Sequence, residues 1–98
     1  MGKVYKDDIG TKRRIDIGDS TAEATVYFYY VQKPDKTEVR WPAEGNCTIL
    51  SDQVLEYVTI EGDQDQAGTY ILQAYLEYPD WQGKGESDSF VVYAKFRP

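Results

Sequence analysis

An all-β sandwich is the fold this sequence predicts, and three observations predict it. Short runs of β-branched and aromatic residues recur along the chain, separated by clusters of Gly, Pro, Asp and Ser. Within several runs the apolar residues fall at every second position, which is the period of a strand. No segment supports a helix of consequence, because the one candidate, Ala22-Glu23-Ala24, is a single turn long.

The elements follow in order. Val4-Tyr5 is a short first strand, ended by Asp7-Asp8-Ile9-Gly10. Lys12 to Ile17 is a second, with Ile15 and Ile17 inward, closed by the turn Gly18-Asp19-Ser20. Thr25 to Gln32 carries the strongest signal, since every residue from Thr25 to Val31 is β-branched or aromatic. Pro34 and Asp35 then occupy natural turn positions. Glu38 to Trp41 returns as a short strand that Pro42 stops. Cys47 to Leu50 adds a short strand, and Val54 to Ile60 a longer one.

The Asp-rich turn Asp63-Gln64-Asp65-Gln66 leads through Ala67-Gly68 into Tyr70, Leu72, Ala74 and Leu76. An immunoglobulin-like sandwich enters its F strand in this way, with the Tyr hydroxyl tied back to the turn. Leu72 stands where antibody domains place a Cys. Gly68 is expected to need positive φ or a close approach. Tyr78 to Gly85 reads as the last loop, and Ser89 to Lys95 as the closing strand. The expectation is one domain over residues 1–98: an immunoglobulin-like antiparallel β-sandwich of about seven strands, without a disulfide. Its inward set is Ile15, Ile17, Val26, Phe28, Tyr30, Val58, Ile60, Tyr70, Leu72, Ala74, Leu76, Val91 and Tyr93, with Phe28 as the large central residue.

Composition narrows the function. The net charge of −6 opposes nucleic-acid binding, which needs basic groups against phosphate. The one basic cluster, Lys12-Arg13-Arg14, has Asp7, Asp8 and Asp16 nearby to pair with. A mean hydropathy of −0.62 and the lack of a long apolar run predict no membrane span. No secretion signal is expected, and Lys6 stands where a myristoylation motif at Gly2 would need Ser or Thr. One Cys permits no intrachain disulfide, and Cys47 is expected to act as a small hydrophobe in a protein made in a reducing cytoplasm.

The chain has no His, which removes the commonest general base and metal ligand. Cys47 therefore lacks the partner that a Cys–His nucleophile requires. Asp63-x-Asp65 is the one metal-like pattern, and a Ca²⁺ site would need 6–8 oxygens. Both side chains are expected instead to cap their own turn. No catalytic set, cofactor or metal is predicted, and the chain is expected not to be an enzyme.

Tyrosine stands out, with nine in 98 residues. Both faces of the Thr25–Gln32 strand are apolar or aromatic, whereas a wet face should be polar. With Tyr27 and Tyr29 outward beside Ile71 and Tyr75, the four would form one contact patch. Tyr suits interfaces because it joins area, rigidity and a polar tip. Trp41 and Trp81 are further contact candidates, with core plugs as the alternative.

Three longer segments carry a resemblance: Lys3 to Thr11, Val31 to Pro42 with Lys33-Pro34-Asp35, and Gly62 to Tyr75, joined by Trp81-Gln82-Gly83-Lys84-Gly85-Glu86. Together they resemble small immunoglobulin-like structural proteins of tailed bacteriophages, and the N-terminal domain of phage upper-baseplate proteins. The resemblance covers nearly the whole chain and implies a virion component of head, neck or tail, made in the host cytoplasm. Its implied partners are other virion proteins, with self-association possible. The alternative function is a carbohydrate- or cell-surface-binding adhesion module.

Overall fold

The computed structural model describes residues 3–18 and 20–94. Gly2, Asp19 and Lys95, each part of an expectation above, lie outside the described residues. Eight strands are present: β1 Val4–Tyr5, β2 Lys12–Asp16, β3 Val26–Gln32, β4 Glu38–Trp41, β5 Thr48–Ser51, β6 Val54–Val58, β7 Gly68–Tyr78 and β8 Trp81–Tyr93. There is no helix among the described residues.

The strands form two sheets that share one core. The larger has the order β1-β8-β7-β3-β4 and the smaller β2-β6-β5. All pairings are antiparallel except β1 against β8, so the larger sheet is mixed rather than purely antiparallel. The region expected as the last loop is instead a hairpin. Tyr78 pairs with Trp81 across Pro79-Asp80, and Gly83-Lys84-Gly85 runs within β8. A register shift between Gln73 and Tyr75 lets β8 carry one more residue than β7 there.

The β3–β4 hairpin shows how sequence sets a local turn. Lys33 N–H donates to the Thr37 carbonyl at 2.8 Å, and Lys36 adopts φ of 74°. Asp35 Oδ1 accepts from Thr37 N–H at 2.9 Å. Hydrogen bonds from Thr37 hold the Asp35 carboxyl below its ordinary range.

Inside, Trp41 is the central large residue, only 2% exposed. Its ring stacks on Tyr57 of the opposite sheet at 5.3 Å and lies 6.0 Å from Tyr70. Tyr70 stacks in turn on Phe90 at 5.3 Å. Ile15, Ile17, Tyr70, Leu72, Ala74 and Leu76 are buried in the core as expected.

Three strands present the opposite face from the expected one. On β3 it is Tyr29 and Val31 that are buried in the core, with Tyr27 packed against it. Phe28 and Tyr30 lie on the outer side of the sheet, where they contact Tyr75. On β6 the inward residues are Leu55 and Tyr57, and Val58 is exposed, as is Ile60 beyond it. On β8 they are Phe90 and Val92, with Val91 exposed. A one-residue change of register exchanges every side chain between faces. The physical reason on β3 is hydrogen bonding. The Tyr29 hydroxyl crosses the sandwich and meets the Leu55 carbonyl at 2.8 Å and the Arg13 carbonyl at 3.1 Å. A buried phenol needs such partners.

Candidate partner-binding surface

The outer face of the larger sheet collects the side chains that point away from the core. Cross-strand pairing brings Phe28 opposite Tyr75, Tyr30 opposite Arg40 and Gln73, and Tyr75 opposite Lys84. The three rings form a compact cluster. Phe28 lies 4.9 Å from Tyr75 and 5.1 Å from Tyr30, and Tyr30 lies 5.6 Å from Tyr75. The last two contacts are edge-to-face, the geometry that ring quadrupoles favour.

Two cations flank the cluster. The Arg40 guanidinium sits 3.8 Å above the Phe28 ring, which is why Phe28 is only 5% exposed on an outer face. Arg40 Nε also donates to the Pro42 carbonyl at 3.1 Å, and Nη2 to the Gly45 carbonyl, so its plane is fixed from behind. Lys84 Nζ stands 5.8 Å from the Tyr30 ring. The Tyr75 hydroxyl donates to Glu77 Oε2 at 2.7 Å, and that bond pushes its pKa up. Beside the rings lies a shallow depression of about 520 Å³ lined by Tyr30, Gln32, Glu38, Ile71, Gln73 and Lys84. Tyr30 is 37% exposed and Ile71 44%.

The structure divides the six expected contact residues. Ile71 and Tyr75 lie on this outer face. Trp81 is exposed at the end of the β7–β8 hairpin. Tyr29, with no exposed surface, and Trp41 are core residues, and Tyr27 is half-buried against the core. The outward placement expected of Tyr27 and Tyr29 is therefore corrected, and Trp41 takes its alternative as a core plug. Phe28, Tyr30, Arg40 and Lys84 were missed as members of the face. One signal for them was present, because Gln32 shares their alternation and is the only polar residue within β3.

The remaining candidates have structural duties. Asp63 Oδ2 accepts from Ile60 N–H at 2.8 Å and from the Tyr57 hydroxyl at 2.5 Å. Burial and that carboxylate push the Tyr57 phenol far up. Asp65 pairs with Lys33 at 2.8 Å. Among the described residues no three His, Cys, Asp or Glu side chains are grouped to hold a metal ion. Cys47 is buried and its thiol is pushed up to about 12 by desolvation. The basic cluster pairs differently from expectation: Arg14 meets Glu56 at 2.7 Å, and Arg13 meets Asp88 at 3.6 Å while covering Phe90. Gln64 is fully buried and binds the Asp8 carbonyl at 2.9 Å, which fastens the β1–β2 connection to the β6–β7 turn.

No family model, curated protein or solved structure with which the chain was compared matches it.

Proposed function

We propose that this chain is a non-enzymatic structural module with an immunoglobulin-like sandwich, and that it binds other proteins of a tailed-phage particle through the outer face of its larger sheet. The strand order supports the fold reading. With β2, β3, β5, β6, β7 and β8 as strands B, C, D, E, F and G, the larger sheet contains the order G-F-C and the smaller is B-E-D. The Tyr70 hydroxyl donates to the Gln66 carbonyl at 3.1 Å and accepts from Gln66 N–H at 3.0 Å, as a tyrosine corner does.

The observation that carries the binding reading is the cluster of Phe28, Tyr30 and Tyr75 with two cations beside it. Aromatic and Arg side chains on a rigid sheet are what contact surfaces concentrate. The assignment to a virion rests on the sequence resemblance. Adhesion to carbohydrate is the second reading, and its support is Trp81, 52% exposed at a hairpin end.

The test is co-purification with particles produced by the strain that carries the gene. The wild-type protein should run with intact particles at fixed stoichiometry. The double variant Tyr30→Ser, Tyr75→Ser should be lost from them while still unfolding cooperatively in urea with an unchanged m-value, at a stability cost of about 1–3 kcal/mol for the lost ring contacts. Full retention of the double variant, or absence of the wild type from particles, overturns the proposal.

A further inference from the structure

A second feature stands apart from the sheet face, at the end of the β7–β8 hairpin. Trp81 opens β8 and pairs with Tyr78, the last residue of β7. A Cβ at Gly83 would stand 2.8 Å from Trp81 Cζ2 and 3.1 Å from Cη2. The absence of that atom is what lets the indole lie down against its own strand. The ring is thus held by the backbone while 52% exposed. Tyr78 lies 6.1 Å away at an interplanar angle of 44°, and its hydroxyl donates to the Ser20 carbonyl at 2.9 Å. That bond ties the hairpin to the β2–β3 connection. Between the two segments lies a cleft of about 380 Å³, lined by Ser20, Glu23, Tyr78, Asp80 and Trp81.

The chemistry of this lining is one-sided. Glu23 and Asp80 are exposed carboxylates with no cationic partner among the described residues. Ser20 Oγ spends its proton on Asp52 Oδ1 at 2.7 Å, and the Tyr78 hydroxyl proton is likewise committed. Among the described lining residues the groups that face the cleft are the exposed Trp81 ring and a set of oxygen acceptors, with the indole N–H as the one side-chain donor. A sugar ring brings acceptors as well as donors and would leave its own oxygens without protein partners. A positively charged group that only donates matches the site. Cations are drawn to the faces of Trp and Tyr and to carboxylates alike. The net charge of −6 favours the approach of the same ligands.

We propose that this cleft binds an alkylammonium group, supplied by a lysine side chain of a partner chain or by a small free amine. The proposal does not depend on the sheet-face reading, and its test uses a different part of the molecule.

The chain contains two tryptophans, so its ¹H–¹⁵N spectrum should show two indole signals. Trp81→Phe assigns them. Titration of the intact protein with Nα-acetyl-lysine methylamide or with n-butylamine should move the Trp81 signal saturably in the millimolar range and leave Trp41 still. Tighter binding of the lysine amide assigns the ligand to a partner chain, and tighter binding of butylamine to a free amine. The neutral Nα-acetyl-norleucine methylamide should have no effect. Trp81→Ala should weaken binding roughly tenfold, read through the backbone amides of residues 20–24. Glu23→Gln with Asp80→Asn, both at exposed positions, should weaken it about threefold or more and reduce its salt dependence. The proposal is overturned if neither amine shifts Trp81, if binding is unchanged in both variants, or if methyl β-glucopyranoside moves Trp81 and the amines do not.

Discussion

Tyr29→Phe is the most discriminating single change in this protein. The side chain is wholly buried on β3, and its hydroxyl donates across the sandwich to the Leu55 carbonyl at 2.8 Å, with the Arg13 carbonyl at 3.1 Å as a second acceptor. Removal of the hydroxyl leaves a buried carbonyl without that donor and a small void where the oxygen stood. An acceptor left unsatisfied in the interior costs about 1–3 kcal/mol. Each carbonyl also has a second lone pair for its own sheet, which favours the lower half, about 1–2 kcal/mol. For a domain of this size that corresponds to a fall in Tm of roughly 5–10 °C. Urea unfolding followed by circular dichroism reads the effect, and the m-value should be unchanged. Tyr30→Phe is the internal control, because that ring lies on the outer face and is 37% exposed. Its cost should stay within about 0.5 kcal/mol. Equal midpoints for Tyr29→Phe and wild type, or a larger loss in Tyr30→Phe, would refute the register of β3 and with it the described core.

Two further outcomes follow from backbone geometry and from ionisation. Gly68 has φ of 132°, and a Cβ there would stand 2.7 Å from Pro34 Cβ, so Gly68→Ala should cost at least about 2 kcal/mol by thermal unfolding, and Pro34→Gly in the same chain should return part of it. Burial raises the Cys47 thiol from 9.0 to about 12, and it pushes the Tyr29, Tyr57 and Tyr70 phenols above their ordinary 10.0. Above pH 9 the unfolded chain therefore sheds protons that the folded chain keeps. Stability should be fully present below pH 9 and fall as pH rises further, by at most about 1.4 kcal/mol per pH unit for each group and by less where water reaches it. Urea midpoints measured from pH 7 to 11 check the sign, and a midpoint that rises above pH 9 contradicts it. In the same samples iodoacetamide should spare Cys47 at pH 8 and modify it only in urea.

Much of the local structure was legible in the residues alone. The strands around Val4, Ile15, Phe28, Val39, Ile49, Leu55 and Leu72 were all marked by composition and by turn residues. Tyr70, Leu72, Ala74 and Leu76 were correctly turned inward, because Thr69 and Gln73 mark the opposite face as polar. A return of the Tyr70 hydroxyl to its preceding turn was likewise expected, and Gln66 is the residue it meets. Asp63 served its turn as anticipated, because a short carboxylate reaches the N–H groups of its own loop more readily than a distant ion.

The candidate surface was legible only in part. Ile71 and Tyr75 were placed on the outer face by alternation with an unambiguous strand, whereas Tyr27 and Tyr29 were not. On β3 the two alternating sets, Val26, Phe28, Tyr30 and Tyr27, Tyr29, Val31, are both apolar or aromatic, so period alone does not distinguish in from out. Only Gln32 tips the balance. On β6 a similar hint lay in Glu56, which shares a face with the exposed Val58 and pairs with Arg14.

Sequence by itself determined an all-β chain, the turns that precede β7 and the inward face of β7, because these depend on backbone preference and on contrast between neighbours in the chain. Tertiary structure alone decided the faces of β3, β6 and β8, the burial of Trp41 and the clustering of Phe28, Tyr30 and Tyr75. Those choices depend on partners far away in sequence. Tyr29 turns inward because the carbonyls of Arg13 and Leu55 await its hydroxyl on the other sheet, and Phe28 can remain outside because Arg40 covers it.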